Sequence, residues 1–564
     1  RANPIDHHVM AELEKEGLEP KSEADKRTLI RRVTFDLTGL PPTLEEIEDF
    51  LSDKSSNAYA TLVDRLLSKK SYGEHMARYW ADLVRFSDTN GMHHDFYRDF
   101  STYRDWLIRS YNSNLPFDDF IKYQVAGDLY EEPSRDRLIA SGFNRLHLII
   151  DKGTALHEES LHKNIVDRVE AFGTTFLGLT VQCAQCHDHK YDPITQKDYY
   201  QLYAFFNNFN GASETVKDPE RGLQPPFINL TSLKQDQRLA NFDGMEHRLE
   251  IELEAVNRRQ GLSDKWPESF EEVSVPWIWD NSELEAKDIE FQTILTLEQA
   301  PDAAMARYVG MGEAEVMING NSLGKADTLN QGVAAELSDL LRPGENIITA
   351  KASCKAGFPF LLEYRVGEDI TTFTSGSEWL KSEDGLSWES ASEIHEFEGQ
   401  INWTTKVRSS EVLEIVRQLA DMKAARKAFL EEIPAAMFMS ERDPPRQATI
   451  LIGGAYDAPD QPVERNTPAF LPPMKKKDGR YSRIDLAEWL VAPNHPLTAR
   501  VAVNRIWQQF FGVGLVKTSE DFGVQGEWPS YRGLLDDLSL SFIESGWDLK
   551  QLVRNIVLSK TYKQ

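Results

Sequence analysis

The apolar periodicity changes character twice along this chain, and that change limits its fold more than any other feature. Up to about residue 267 apolar residues recur at three-and-four spacing, the pattern of amphipathic helices. Residues 268–404 are instead rich in Val, Ile, Thr and aromatics, broken by turn signals about every 8–12 residues, as in an antiparallel sandwich. Beyond 404 the helical spacing returns. The pattern predicts a multidomain, mainly α protein with an inserted antiparallel β-sandwich of jelly-roll type. With 564 residues, three or four domains or subdomains are expected.

The organisation expected is an N-terminal helical domain over 1–130 and a helical segment over 131–233. A long linking helix over 234–267 leads into the inserted sandwich, 268–404, and a return helix over 405–433 leaves it. A Pro-rich wrap over 434–483 and a C-terminal helical domain over 484–564 complete the chain. Thr43 and Glu46 form a capping signal that opens a helix Leu44–Leu51. Helices are read over Tyr59–Leu67, His75–Phe86, Lys163–Leu177, Tyr199–Phe209, Thr498–Phe511 and Ser530–Glu544, and a strand over Ala448–Ile452. The helices Lys234–Arg259 and Ser409–Leu430 carry matching apolar stripes and should pair as a hairpin. Inside the sandwich, Asn319-Gly320 is a hairpin turn and Arg342 to Asn346 another. The stretch Asp88–Phe100, DTNGMHHDFYRDF, is polar, aromatic and His-rich, which marks a functional loop.

Lys and Arg number 63 against 90 Asp and Glu, a formal charge of −27. Such a surface repels nucleic acid, so that partner is excluded. No apolar run approaches the roughly 20 residues of a membrane-spanning helix. A start at Arg1 in place of Met reads as a processed or trimmed terminus. Three cysteines cannot staple a secreted scaffold, and Cys354 reads as a small strand residue.

The other two lie in Cys183-Ala-Gln-Cys186-His187, the spacing that attaches haem c. Two thiols three residues apart can add to the two porphyrin vinyls, and the adjacent imidazole becomes an axial ligand. The cofactor expected is one covalent haem c on Cys183 and Cys186, with His187 on the iron. A zinc site using His187 or His189, a redox thiol pair and an inert pair remain alternatives. His189 lies too near His187 to reach the opposite face of the same ring, and it serves a propionate or the Asp188–Asp192 turn. The sixth ligand is open, with candidates His93, His94, His157, His162 and, further off, His147. His94, Asp95, Arg98 and His157 are the candidate catalytic residues. Tyr97 lies in the same loop as a pocket wall, and Arg98 or Arg104 is available to a carboxylate or sulfate. Arg500, Asn504 and Arg505 form a second polar group.

The stretches ADKRTLIRRVTFDLTGLPPTLEEIEDFL, YGEHMARYWADLVRFSDTNG, the run from GTALHEESLHK to YYQLYAFFNN, and NHPLTARVAVNRIWQQFFGVGLVKTSEDFG resemble the planctomycete-type cytochrome c family. Its secreted bacterial members carry two domains of unknown function around a CxxCH core. That resemblance implies covalent haem, a periplasmic or cell-surface location, an upstream cytochrome domain or redox partner, and a carbohydrate setting. Tyr79, Phe510 and Tyr531 stand where relatives commonly carry His. Residues 291–379 are similar to galactose-binding-like jelly rolls through VMINGNSLG, LRPGENIITA and FTSGSEWL. Trp277, Trp279 and Trp379 are candidates there to stack on a sugar, with a place in the core the commoner role for each. The function expected is a haem c oxidoreductase acting on a carbohydrate or polysaccharide-derived sugar. The alternatives are an electron-transfer cytochrome, and a carbohydrate-binding or hydrolytic protein in which the haem is structural or absent.

Overall fold

The computed structural model describes residues 3–150, 156–213, 222–259, 277–279, 287–308, 312–326, 333–354, 358–367, 369–383, 385–394, 407–408, 410–475 and 479–564. The architecture is multidomain and mainly helical, with an inserted antiparallel β-sandwich. Two compact units emerge: residues 1–230 with 433–564, and residues 231–432.

The first unit is helical because its apolar residues sit on single faces of short, well-capped helices. Thr43 and Glu46 close the expected capping box on the helix Leu44–Ser52. A box of Thr195 with Asp198 starts another at Gln196, three residues before the apolar run suggested, and the helix ends at Phe206. The helix read from His75 begins at Lys70 and stops at Leu83, since Arg85 takes a left-handed conformation at φ 61°. Trp80 anchors the aromatic core, 4.9 Å from Phe120 between ring centres, with its indole N–H donated to buried Gln124. The helix His157–Phe172 continues into a π turn, Gly173–Leu177, that ends at Gly178 in the left-handed region. The helix Thr498–Phe511 has the bounds its sequence predicts.

Both ends of the chain meet in this unit: Asp6 accepts the Lys560 and Thr561 amides, and the Tyr562 hydroxyl donates to Asp36. Where the chain departs for the insert, Phe227–Asn229 pairs antiparallel with Ala435–Met437, which receives it on return.

In the second unit, one antiparallel sheet runs Glu389–Ser390, Leu380–Ser382, Lys287–Leu297, Gly344–Cys354, Gly312–Ile318, Asn321–Ala326. The facing sheet is built around Phe358–Val366, flanked by Ala303–Tyr308 and Trp277–Trp279. Alternate residues of both, among them Phe291, Val316, Ile348, Phe360 and Leu362, form the core. Asn319 and Gly320 turn at φ 52° and 81°, which suits an Asn-Gly hairpin. Asn346, fully buried, donates to the Arg342 and Gly344 carbonyls and fixes the second predicted turn. Trp379 is 0% exposed and packs on Phe360, so it is core and cannot stack on a sugar. The side chains of Trp277, Trp279 and Cys354 lie outside the described residues. The helices Leu233–Arg259 and Ser410–Glu431 pair antiparallel, as Arg426 to Asp243 and Lys423 to Glu246 show, around Val256, Ile415, Leu419 and Met422.

Candidate functional site

One turn of 3₁₀ helix, Gln182–Gln185, carries the cysteine motif. Side chains three residues apart eclipse in such a turn, so Cys183 and Cys186 share a face. Ala184 between them is fully buried, and both thiols are free and exposed. The Tyr200 hydroxyl and the Gln196 side chain donate to the Gln185 carbonyl and brace the turn from below. Gly454 passes so close that a Cβ there would lie 2.8 Å from the Cys186 sulfur.

His187 is exposed, and its Nδ1 lies 2.7 Å from its neighbour's carbonyl, that of Asp188. A carbonyl only accepts, so Nδ1 carries a proton, and in the neutral ring the lone pair lies on Nε2. His189 is turned inward, and its Nδ1 accepts the Asp192 amide at 2.8 Å. It orders the turn, the second of the two roles expected for it. Among the described residues no group of three or more His, Cys, Asp or Glu is arranged to hold a metal ion.

Beside the motif opens a cleft of about 510 Å³. Gln182 and Gln185 form one wall, Met92 of the His-rich loop and Leu148 another, and the helix His157–Phe172 its floor. Glu159, Lys163, Asp167 and Glu170 of that helix line it. Their spacing of four, four and three puts them on one helix face, a signal present in the sequence but not read there. Burial first, and Asp167 second, push the Glu170 carboxyl above its usual range. Asp167 itself is paired with Arg85.

The structure sorts the other sequence candidates. His162 reaches the motif, but both its nitrogens are engaged, by the Tyr203 hydroxyl and by Gln185. His157 opens its helix with Nδ1 2.9 Å from the Ser213 hydroxyl. His93 and Asp95 adopt left-handed conformations, at φ 55° and 51°, in a loop where Asp95 accepts the Gly91 amide. His94 is exposed and stacks on Phe96. Tyr97 is exposed on the same loop, but Arg98 is 1% exposed and bonded to the His147 carbonyl. It does not line an open pocket as expected, because the loop folds it inward over Phe100. Arg104 stays exposed near Asp105.

Of the second polar group, Arg500 pairs with Asp536, and buried Asn504 exchanges two bonds with Val516. Arg505 donates to the Thr174 and Thr175 carbonyls of the π turn. It lines a separate cavity of about 520 Å³ with Tyr79, Asp82 and Glu520. Phe510 and Tyr531 pack against the core.

Residues 4–211 match the family model PSCyt2, a protein of unknown function (DUF1549), and residues 482–564 match PSD1, likewise of unknown function (DUF1553). The chain carries both domains. The PSCyt2 segment holds the cysteine motif and nearly all of the cleft, and the PSD1 segment braces it from behind through Arg505. These are the domains that the motif stretches resembled in the planctomycete-type cytochrome family. No curated protein matches the chain. Among solved structures, an α-L-rhamnosidase from Streptomyces avermitilis complexed with L-rhamnose is 16% identical at a TM-score of 0.20, covering 21% of this chain and 14% of that one. A lectin from Pleurotus ostreatus in complex with GalNAc is also 16% identical, at a TM-score of 0.19, covering 24% and 47%. The chain spans less than half the length of either, and likenesses this slight bear on no function. Among the described residues no helix is long and apolar enough to cross a membrane.

Proposed function

We propose that the protein is an extracytoplasmic haem c oxidoreductase whose substrate, a carbohydrate or polysaccharide-derived sugar, occupies the cleft beside the cysteine motif. The observation that carries this is the pairing of two exposed thiols on one face with a histidine whose Nε2 is left free. The residues fit the group. Cys183 and Cys186 would hold it by thioether bonds and His187 would ligate its iron, and a side chain in place of Gly454 would crowd the Cys186 sulfur. Tyr191, Ile452 and Val524, all large and 49–66% exposed, sit on the loop that follows the motif, on the segment that Gln185 bonds at Gly454, and on the segment tied to Asp192, and offer apolar surface to cover. When bound, haem supplies one-electron exchange with a reducing or oxidising substrate.

The chain's own part is to bind and to hold protons. Glu159, Lys163, Asn164 and Gln182 present donors and acceptors to sugar hydroxyls. Glu170, with its carboxyl pushed upward, can retain a proton for transfer at the cleft floor. The Tyr203 and Gln185 bonds hold His162 still at the cleft edge.

The test is intact mass and the pyridine haemochrome spectrum of protein made in a host that matures cytochromes c. The wild type should carry one haem with two thioether bonds, and Cys183→Ala with Cys186→Ala should carry none. His187→Ala should keep the haem increment in mass and the pyridine haemochrome, in which pyridine replaces the axial ligands, but change the spectrum of the untreated protein. Carbon monoxide binding to the reduced protein separates an open iron site from a plain electron carrier. Wild-type protein of bare polypeptide mass would end the proposal.

A further inference from the structure

Arg98, Arg145 and Arg168 are 1%, 2% and 3% exposed and gather around His147, itself buried. Arg98 donates to the His147 carbonyl at 2.6 Å, and Arg168 Nη2 lies 2.9 Å from His147 Nε2. Arg145 and Arg168 both stack on Phe209, at 4.6 and 4.8 Å. A guanidinium only donates, so His147 Nε2 accepts and the neutral ring carries its proton on Nδ1. Among the described residues that Nδ1 has no partner, and neither do Arg98 Nε and Nη2 or Arg145 Nε. All four atoms are buried donors.

Among the described residues no carboxylate bonds to any of the three guanidiniums. The nearest acidic influences on Arg98 are Asp167, paired with Arg85, and Asp95, bonded to Gly91. Burial lowers the pKa of all three arginines and holds His147 well below its ordinary value; repulsion from Arg168 and Arg98 adds to it at Arg145, and the charges of all three arginines add to it at His147. Buried charge without a counter-charge is strongly unfavourable, and every unsatisfied buried donor adds to the cost. Arg483, fully buried in the same unit, is arranged differently: it meets Asp128 and Glu441.

We infer that the Arg98–Arg145–Arg168–His147 shell is a receptor for an oxyanion, the carboxylate or sulfate group of a ligand, which these four donors would bind. Asn90 extends it. Its side chain is 1% exposed, both polar atoms lack partners among the described residues, and its carbonyl takes the Ile149 amide two residues from His147. Leu148 and Ile150, which follow His147, line the cleft, so the shell stands behind the cleft wall. The site is complete in protein groups whether or not Cys183 and Cys186 carry a haem, and it therefore stands or falls separately from the redox proposal.

The experiment is thermal melting and titration calorimetry of the full chain with sodium sulfate, sodium acetate and sodium glucuronate, each against sodium chloride at matched ionic strength. A saturable rise in Tm in the millimolar range is expected with sulfate or with the two carboxylates, and the contrast between those arms names the group recognised. Arg98→Met should weaken that anion about ten-fold or more, while melting no lower than wild type without anion, because an unpaired charge has gone. A purely structural Arg98 would instead lower Tm and leave any anion response intact. Should Arg98→Met fail to fold, Asn90→Asp decides: a built-in carboxylate should raise Tm and remove the response to added anions. Wild-type protein that answers no anion beyond chloride, or Asn90→Asp that melts lower than wild type, overturns the inference.

Discussion

Asp192 accepts the main-chain amide of Val524 at 2.6 Å and so ties the loop that follows the cysteine motif to the PSD1 segment 332 positions later. The neighbouring residue must be glycine for this to happen. A Cβ on Gly523 would meet the Asp192 carboxylate, its Cγ at 2.7 Å. Because Asp192 is buried, the carboxylate cannot swing aside. Gly523→Ala should therefore destabilise the first unit by about 1–3 kcal/mol, the usual cost of overpacking, read as a lower urea midpoint.

A second prediction concerns Arg483, which is fully buried, bidentate to Asp128 and bonded through Nε to Glu441. Removing it strands the buried Asp128 carboxylate, whereas Glu441 keeps Arg465 and Asn208. Arg483→Met should cost about 3–5 kcal/mol in chemical denaturation. The double variant with Asp128→Asn should recover part of that loss.

His495 caps the helix Thr498–Phe511: its Nδ1 accepts from the Thr498 hydroxyl at 2.9 Å, and its ring stands edge-on to Trp489. Burial pushes its pKa down from 6.5 to about 3. The folded state thus favours the neutral ring. Its contribution is fully present above pH 6.5 and is lost as pH falls toward 3, by about 1.4 kcal/mol per unit at most. NMR should find the His495 imidazole neutral at pH 5, and His495→Gln should flatten the acid limb of the stability profile.

In the sandwich, Asn319 combines a left-handed φ with bonds to the Leu340 carbonyl and the Ile347 amide. A β-branched residue tolerates neither. Asn319→Val should lower the stability of the second unit by about 1–3 kcal/mol, measured by thermal melting, and Asn319→Gly by less.

Much of this frame was legible because it follows from short-range rules. The capping box at Thr43, the Asn-Gly turn, the bounds of Thr498–Phe511 and the apolar stripes of the two helices closing the insert depend on residues within a few positions of one another. The eclipsed placement of Cys183 and Cys186 was likewise implied by their spacing. What the cysteines and His-rich loop would sit beside was not. The cleft needs Met92, Leu148, Glu170, Gln185 and Gly454, brought together by tertiary packing from five separate stretches. Nor do Arg98, Arg145 and Arg168 look different in sequence from solvated arginines, because burial of a guanidinium is decided by neighbours far along the chain. Trp379 went to the core, the commoner role for such a residue, although an aromatic in a sugar-binding-like pattern can serve either a core or a ligand.

The ribbon of Phe227–Asn229 with Ala435–Met437 has a wider meaning for how such a chain is built. It brings the exit and re-entry points side by side, with the Leu230 amide donated to the Pro434 carbonyl at 2.7 Å. A short hairpin connection could bridge that gap in place of residues 231–432. The helical body is in this sense a socket, able to accept or discard a module at one seam without rewiring its own interior.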